Sequence, residues 1–324
     1  MSSGTGAAQT RMGGVLFVAL TLLAWSSVPL FLRYFAAYID GWTANGWRYG
    51  ISALFWAPFV LYGLWRKSLP TGLWKAALVP SLFNCLGQSC FAWAPYFIDP
   101  GLLTFLLRFH IIFVTVGAYL FFPSERYVLR SPFFWAGLVI VFGGGVGVLA
   151  FGHQVPRGAT AVGIALGLVS GLLFAGYALS VRYFMHAIHP VTAFAAISNY
   201  TAAALLAAMI PLASRHGWAV WSLSGGQFAM LIASAFIGIA FAHALYYAGI
   251  VRLGIALSSG IILLQPIITS VASYFLFDEV LTAGQWLCGL LALAGAGVLL
   301  SSQQQTAQTE TSAVPATGPV AVRP

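Results

Sequence analysis

The chain has 324 residues, 60% of them hydrophobic and only 6% charged, with 14 Lys+Arg against 6 Asp+Glu for a net charge of +8. Soluble globular domains run near 25% charged, so the composition excludes them and indicates an integral membrane protein. The basic residues lie mostly in short connectors between apolar runs, which reads as membrane topology rather than a nucleic-acid surface.

Ten apolar runs are each long enough to cross a hydrocarbon core of about 30 Å: 14–34, 44–64, 74–95, 101–122, 133–151, 161–184, 191–213, 227–250, 255–277 and 283–301. The first reads as a retained span, because a signal peptide has a shorter apolar core and a small-residue cleavage site. The predicted fold is an all-α integral membrane protein of ten transmembrane helices. Segment 1–12 is expected to be cytoplasmic. The polar, Ser/Thr/Pro-bearing tail 302–324 cannot bury a core and is expected to be disordered. Cys85, Cys90 and Cys288 all fall inside apolar runs and read as small buried hydrophobes.

With both termini cytoplasmic, nine basic residues lie inside: Arg11, Arg66, Lys67, Lys75, Arg126, Arg130, Arg182, Arg252 and Arg323. Arg157 and Arg215 lie outside, and Arg33 and Arg48 near outer helix ends, four in all. That bias favours this orientation.

The chain also repeats itself. The first span ends Arg33-Tyr34-Phe35 and the sixth ends Arg182-Tyr183-Phe184. Gly137, Gly143 and Gly145 in the fifth span match Gly289, Gly295 and Gly297 in the tenth, and Glu125 and Glu279 precede them. Residues 13–151 and 160–301 therefore read as two copies of a five-span unit. An odd span count inverts the second copy, an arrangement common in transporters, with substrate held near the midplane between the halves. The glycines of the fifth and tenth spans, Gly143 and Gly295 among them, read as close-packing or dimer contacts.

These features resemble the ten-helix EamA-type branch of the drug/metabolite transporter superfamily over residues 13–301. The resemblance rests on the paired units, on AWSSVPLFLRY from Ala24, and on the Arg of WRYGISAL from Trp47. PSER after the fourth span, FDEV after the ninth and the Gly-rich fifth helix complete it. It implies a secondary transporter, often an exporter of amino acids or other small metabolites. One departure stands out. The ninth span carries LLQPIITSV, and the fourth carries LLRFHIIFV, with His110 in the position of Pro266 and Arg108 opposite Leu264.

Arg108 sits deep in the run 101–122, where a cation costs roughly 2.5–3.5 kcal/mol on insertion scales. It reads either as a cavity residue or as a snorkelling structural Arg. His110, two residues on, is about 200° around a helix, so at most one of the two faces a cavity unless the helix is broken there. Asn84 and Gln88 share a helical face one turn apart and read as a cavity lining or a helix–helix clamp. Trp93 follows them. In the second unit the corresponding stretch offers His243 and Tyr247, with Tyr247 matching Trp93. Tyr177, and less strongly Trp25, Ser26 and Ser27, occupy equivalent places in the two units. Gln265 precedes Pro266, whose ring frees a carbonyl one turn back.

No acidic residue lies mid-span: Asp40, Asp99, Glu125, Asp278 and Glu279 all fall near helix ends. No GxxxxGK[ST] loop, HExxH or GxSxG occurs, so neither an ATP-driven motor nor a familiar hydrolase is indicated, and no cofactor or metal is implied. The expected protein is a cell-membrane secondary transporter, an exporter working by alternating access between the repeats. Its substrate is expected to be an amino acid or other carboxylate-bearing solute; another metabolite or drug class is the alternative. A receptor or membrane enzyme is more distant. A homodimer is compatible with the Gly-rich helices.

Overall fold

The computed structural model describes residues 3–122, 131–151 and 161–313, with side chains described throughout except at 3–11, 255–256 and 302–313. Glu125, Arg126, Arg130, Arg157, Arg323 and tail residues 314–324 lie outside the described residues. Every regular element described is helical. The α-helices are α1 (Ser3–Phe35), α2 (Gly41–Trp65), α3 (Leu73–Trp93), α4 (Pro100–Leu106), α5 (His110–Phe121), α6 (Pro132–Ala150) and α7 (Ala161–Met185). They continue with α8 (Pro190–Leu212), α9 (Gly225–Ala235), α10 (Ala242–Leu253), α11 (Ile255–Ile262), α12 (Gln265–Phe277) and α13 (Ala283–Ala313). Helix α13 runs past residue 301, so the tail expected to be disordered from 302 is helical as far as Ala313. Its Gln, Ala and Thr residues extend a helix already nucleated, and no Pro intervenes before Pro315.

Eight helical stretches are long and apolar enough to cross a membrane. The other two apolar runs are α2 and α3, of 25 and 21 residues. Both are long enough to span. Their mean hydropathy is lowered by Asn45, Arg48, Ser52, Ser81 and Asn84, all buried inside the bundle rather than facing lipid. Local chemistry fixes where these helices begin. Asp40 caps α2, accepting from Thr43 N at 3.0 Å and Thr43 Oγ1 at 2.7 Å. Ser224 and Gln227 form a capping box at the start of α9.

The packing is dominated by contacts between the halves: α6 with α13, α3 with α7, α2 with α8, and α1 with α10. Helix α5 packs on α7 as α12 packs on α1, and α4 crosses α12. Exchanging first-half spans for second-half spans leaves this pattern unchanged.

The α6–α13 pair is held at backbone distance. A Cβ on Gly137 would lie 2.9 Å from Gly295 O, and one on Gly144 would lie 2.6 Å from Cys288 O and 2.7 Å from Ala292 N. A Cβ on Gly295 would meet Val141 N at 2.8 Å. Gly143, read from sequence as a packing position, has nothing within 4 Å of its would-be Cβ. One residue from Gly144 is a 100° rotation, and that turns it off the contact stripe. Gly145 and Gly289 instead receive the rings of Phe109 and Phe105.

Among the described residues, three of the apolar helical runs are interrupted. The fourth changes from α4 to α5 through a 3₁₀ turn at Leu107–Phe109, and the ninth breaks at 263–264 before α12 restarts at Gln265. Pro266 sits in the first turn of α12, where its missing N–H costs nothing. The eighth span passes from α9 to α10 through a π-helical segment, Phe236–Phe241. Interruptions of this kind are tolerated at membrane depth where the backbone is buried in protein or lines a cavity.

Candidate functional site

All three interruptions surround one cavity of about 530 Å³. The fourth run tightens to a 3₁₀ turn at Leu107–Phe109, and Arg108 and His110 both line the cavity there. Arg108 is 9% exposed. Its Nε donates to Thr104 O at 3.3 Å and its Nη2 to Gln265 Oε1 at 2.8 Å. Gln265 donates in turn through Nε2 to Trp25 O at 3.0 Å. The chain Arg108–Gln265–Trp25 thus ties the break of the fourth span to that of the ninth and to α1. Both of its acceptors on Arg108 are neutral, and Nη1 makes no hydrogen bond among the described residues.

Asn84 and Gln88 line the cavity from α3. Asn84 also clamps two helices, donating to Thr201 Oγ1 on α8 at 2.9 Å. Tyr177 lines the cavity from α7, and Trp25 from α1. His243 lines it from α10, just past the π segment. Its ring is stacked on Phe194 at 4.2 Å, is edge-on to Trp25 at 5.2 Å, and has Nδ1 3.1 Å from Ile239 O.

Trp93 and Tyr247 are not among the lining residues. Trp93 covers Gly41, whose would-be Cβ meets the ring at 3.1 Å, and packs on Tyr96 at 4.9 Å near the end of α3. Tyr247 is packed against Phe194, with ring centroids 6.1 Å apart. Ser26 and Ser27 also lie off the cavity. Ser27 Oγ donates to Ala24 O at 2.7 Å, and Ser26 O accepts from Thr269.

Sequence reading placed Arg48 near an outer helix end, and the structure corrects this. Helix α2 starts at Gly41, so Arg48 lies about 10 Å into it. It is 1% exposed and lines the same cavity. Its Nε donates to Ser234 Oγ at 3.0 Å, and its buried Nη2 has no partner among the described residues. Gly238 in the π segment lies beside it: a Cβ there would meet Val28 at 2.5 Å and Nη2 of Arg48 at 3.3 Å. Tyr49 and Tyr246 are further lining residues that sequence reasoning did not single out. Tyr246 packs on Trp25 at 4.9 Å and meets Ser259 Oγ at 3.3 Å. No Asp or Glu is among the lining residues described.

A bundle of long apolar helices around a buried cavity bearing polar and cationic groups is the architecture of a membrane transport protein. The model of the EamA-like transporter family matches the chain twice, over residues 12–150 and 161–301. The chain belongs to the EamA-like transporter family, and is a multi-pass integral membrane protein of the kind that moves small solutes. A solved crystal structure of a protein resembles it with a TM-score of 0.58 at 17% identity, covering 89% of this chain and 97% of the other. At that identity the likeness is one of fold. No curated protein matches the chain.

Proposed function

We propose that this protein is a secondary exporter of small carboxylate-bearing solutes, amino acids included, working by alternating access between two inverted five-span repeats with both termini cytoplasmic. The substrate reading rests on Arg108. Its guanidinium sits at a helix break on the cavity wall and is paired only with a neutral carbonyl and a neutral amide. Arginine stays charged at any working pH, and its fork of donors matches the two oxygens of a carboxylate. A cavity for lipophilic cations would instead want a carboxylate on its wall. The remaining wall residues, His110, Asn84, Gln88, Tyr177, His243 and Gln265, would contact the rest of the solute. Uptake into proteoliposomes of radiolabelled alanine, butyrate and succinate, beside a lipophilic cation, tests the reading. Arg108-dependent flux of at least one carboxylate is expected, and flux of the cation alone refutes it.

The inverted ten-span arrangement is supported by a packing pattern that survives exchange of the halves, with α2–α8 and α6–α13 as the self-paired contacts. The network around Glu279 marks the end at which the cavity is closed. Arg33 Nε bonds Glu279 Oε1 at 2.7 Å, Arg33 Nη1 bonds Pro95 O at 3.0 Å, and Ser273 Oγ bonds Glu279 Oε2. Arg33 is about two turns beyond Trp25, toward the C-terminal end of α1. The cavity lining instead extends the other way, to Thr115, Ala178, Ser259 and Leu300. In the proposed orientation this is an inward-facing state latched on the outside.

Glu279→Gln should weaken the latch. In a protein whose Cys85, Cys90 and Cys288 are replaced, Val28→Cys should then react several-fold faster with an impermeant thiol reagent added on the latch side. An unchanged rate would count against the latch.

A further inference from the structure

We propose that Arg48 is a second substrate-binding residue, and that the preferred solute carries two carboxylates. The proposal rests on the reading of Arg108 and narrows it.

Two buried guanidiniums border one cavity whose described lining holds no acidic side chain. Among the described residues Arg48 is held by a single neutral hydroxyl, and its buried Nη2 has no partner. Such a group carries a desolvation cost that the protein's own atoms leave uncompensated. It cannot neutralise itself by losing its proton. The π segment that holds Gly238 packs beside it, a Cβ on Gly238 falling 2.5 Å from Val28 and 3.3 Å from Nη2 of Arg48. The two arginines come from different helices and approach neighbouring turns of α1. Arg108 reaches Trp25 O through Gln265, while Gly238, beside Nη2 of Arg48, packs on Val28. Both guanidiniums line the same cavity of about 530 Å³, where one small solute with a carboxylate at each end would meet both. A zwitterion would satisfy one of them and bring an ammonium that finds no counter-charge on the described wall.

The test is transport in proteoliposomes of succinate against butyrate, two chains of equal length that differ by one carboxylate. The wild-type protein should have a KM for succinate at least tenfold below that for butyrate. Arg48→Gln should raise the succinate KM tenfold or more while leaving the butyrate KM within twofold, and Arg48→Lys should recover part of the preference. Equal KM values for the two acids in the wild type would overturn the proposal, and this arm needs no variant to fold. An Arg48→Gln protein of normal yield that loses both acids equally would overturn it too. Arg108-dependent butyrate transport without preference for succinate would refute the second site and leave the carboxylate reading standing. Transport of neither these acids nor alanine would refute both.

Discussion

Replacing Arg108 with Leu should abolish carboxylate transport, lowering the rate about 100-fold or more, while the folded protein is still recovered in near-normal yield. Hydrogen bonds to a charged group contribute roughly 1.5–3 kcal/mol each, so losing the two that a carboxylate can take accounts for a loss of that size. The fold should tolerate the change because no buried anion is orphaned. The groups released are Thr104 O, which already lies within a helix, and the Gln265 amide, which faces the cavity and stays anchored to Trp25 O. Arg108→Lys should restore only part of the rate, having kept the charge and lost the fork. Purification yield, thermal unfolding and initial uptake rate, measured on the three proteins together, check this. Normal transport by Arg108→Leu, or its outright misfolding, would make Arg108 a structural residue.

The second large effect concerns folding. Gly144→Leu should reduce folded yield severely, because even the first carbon of a side chain there falls against the Cys288 carbonyl and the Ala292 amide. Backbone cannot step aside as a side-chain tip can, and overpacking of this kind costs about 3 kcal/mol. Gly143→Leu, one residue away, enters open space and should stay within roughly 0.5 kcal/mol of the parent. Both should leave solute preference unchanged in whatever protein folds, since neither glycine lines the cavity. Detergent-stable yield and the KM of the surviving fraction are the measurements. Equal yields from the two variants would refute the close-approach account.

The contrast between Gly143 and Gly144 also marks where sequence reading stops. Apolar runs fix the spans, because hydrocarbon thickness sets their length, and all ten runs are helical here. The repeat alignment gives register, but it does not tell which side of a helix meets a partner. Gly143 was therefore chosen over Gly144. Trp93 and Tyr247, matched to one another by the same alignment, both lie off the cavity for the same reason. Arg108 and His110 were legible because a cation and an imidazole inside an apolar run must be compensated. Both line the cavity beside a 3₁₀ turn that no Pro or Gly announces. Arg48 was missed through a boundary error of three residues. A run counted from 44 puts it near a helix end, whereas a helix capped by Asp40 puts it two turns inside.

The central claim is that a guanidinium on the cavity wall selects a carboxylate. It is tested most directly by comparing proteoliposome uptake of a carboxylate with that of its neutral amide, succinate against succinamide, in the wild type and in Arg108→Leu. The account predicts that the wild type takes up succinate and leaves the amide outside, and that the variant loses succinate uptake. Equal uptake of acid and amide by the wild type, or an undiminished preference for the acid in Arg108→Leu, would contradict it.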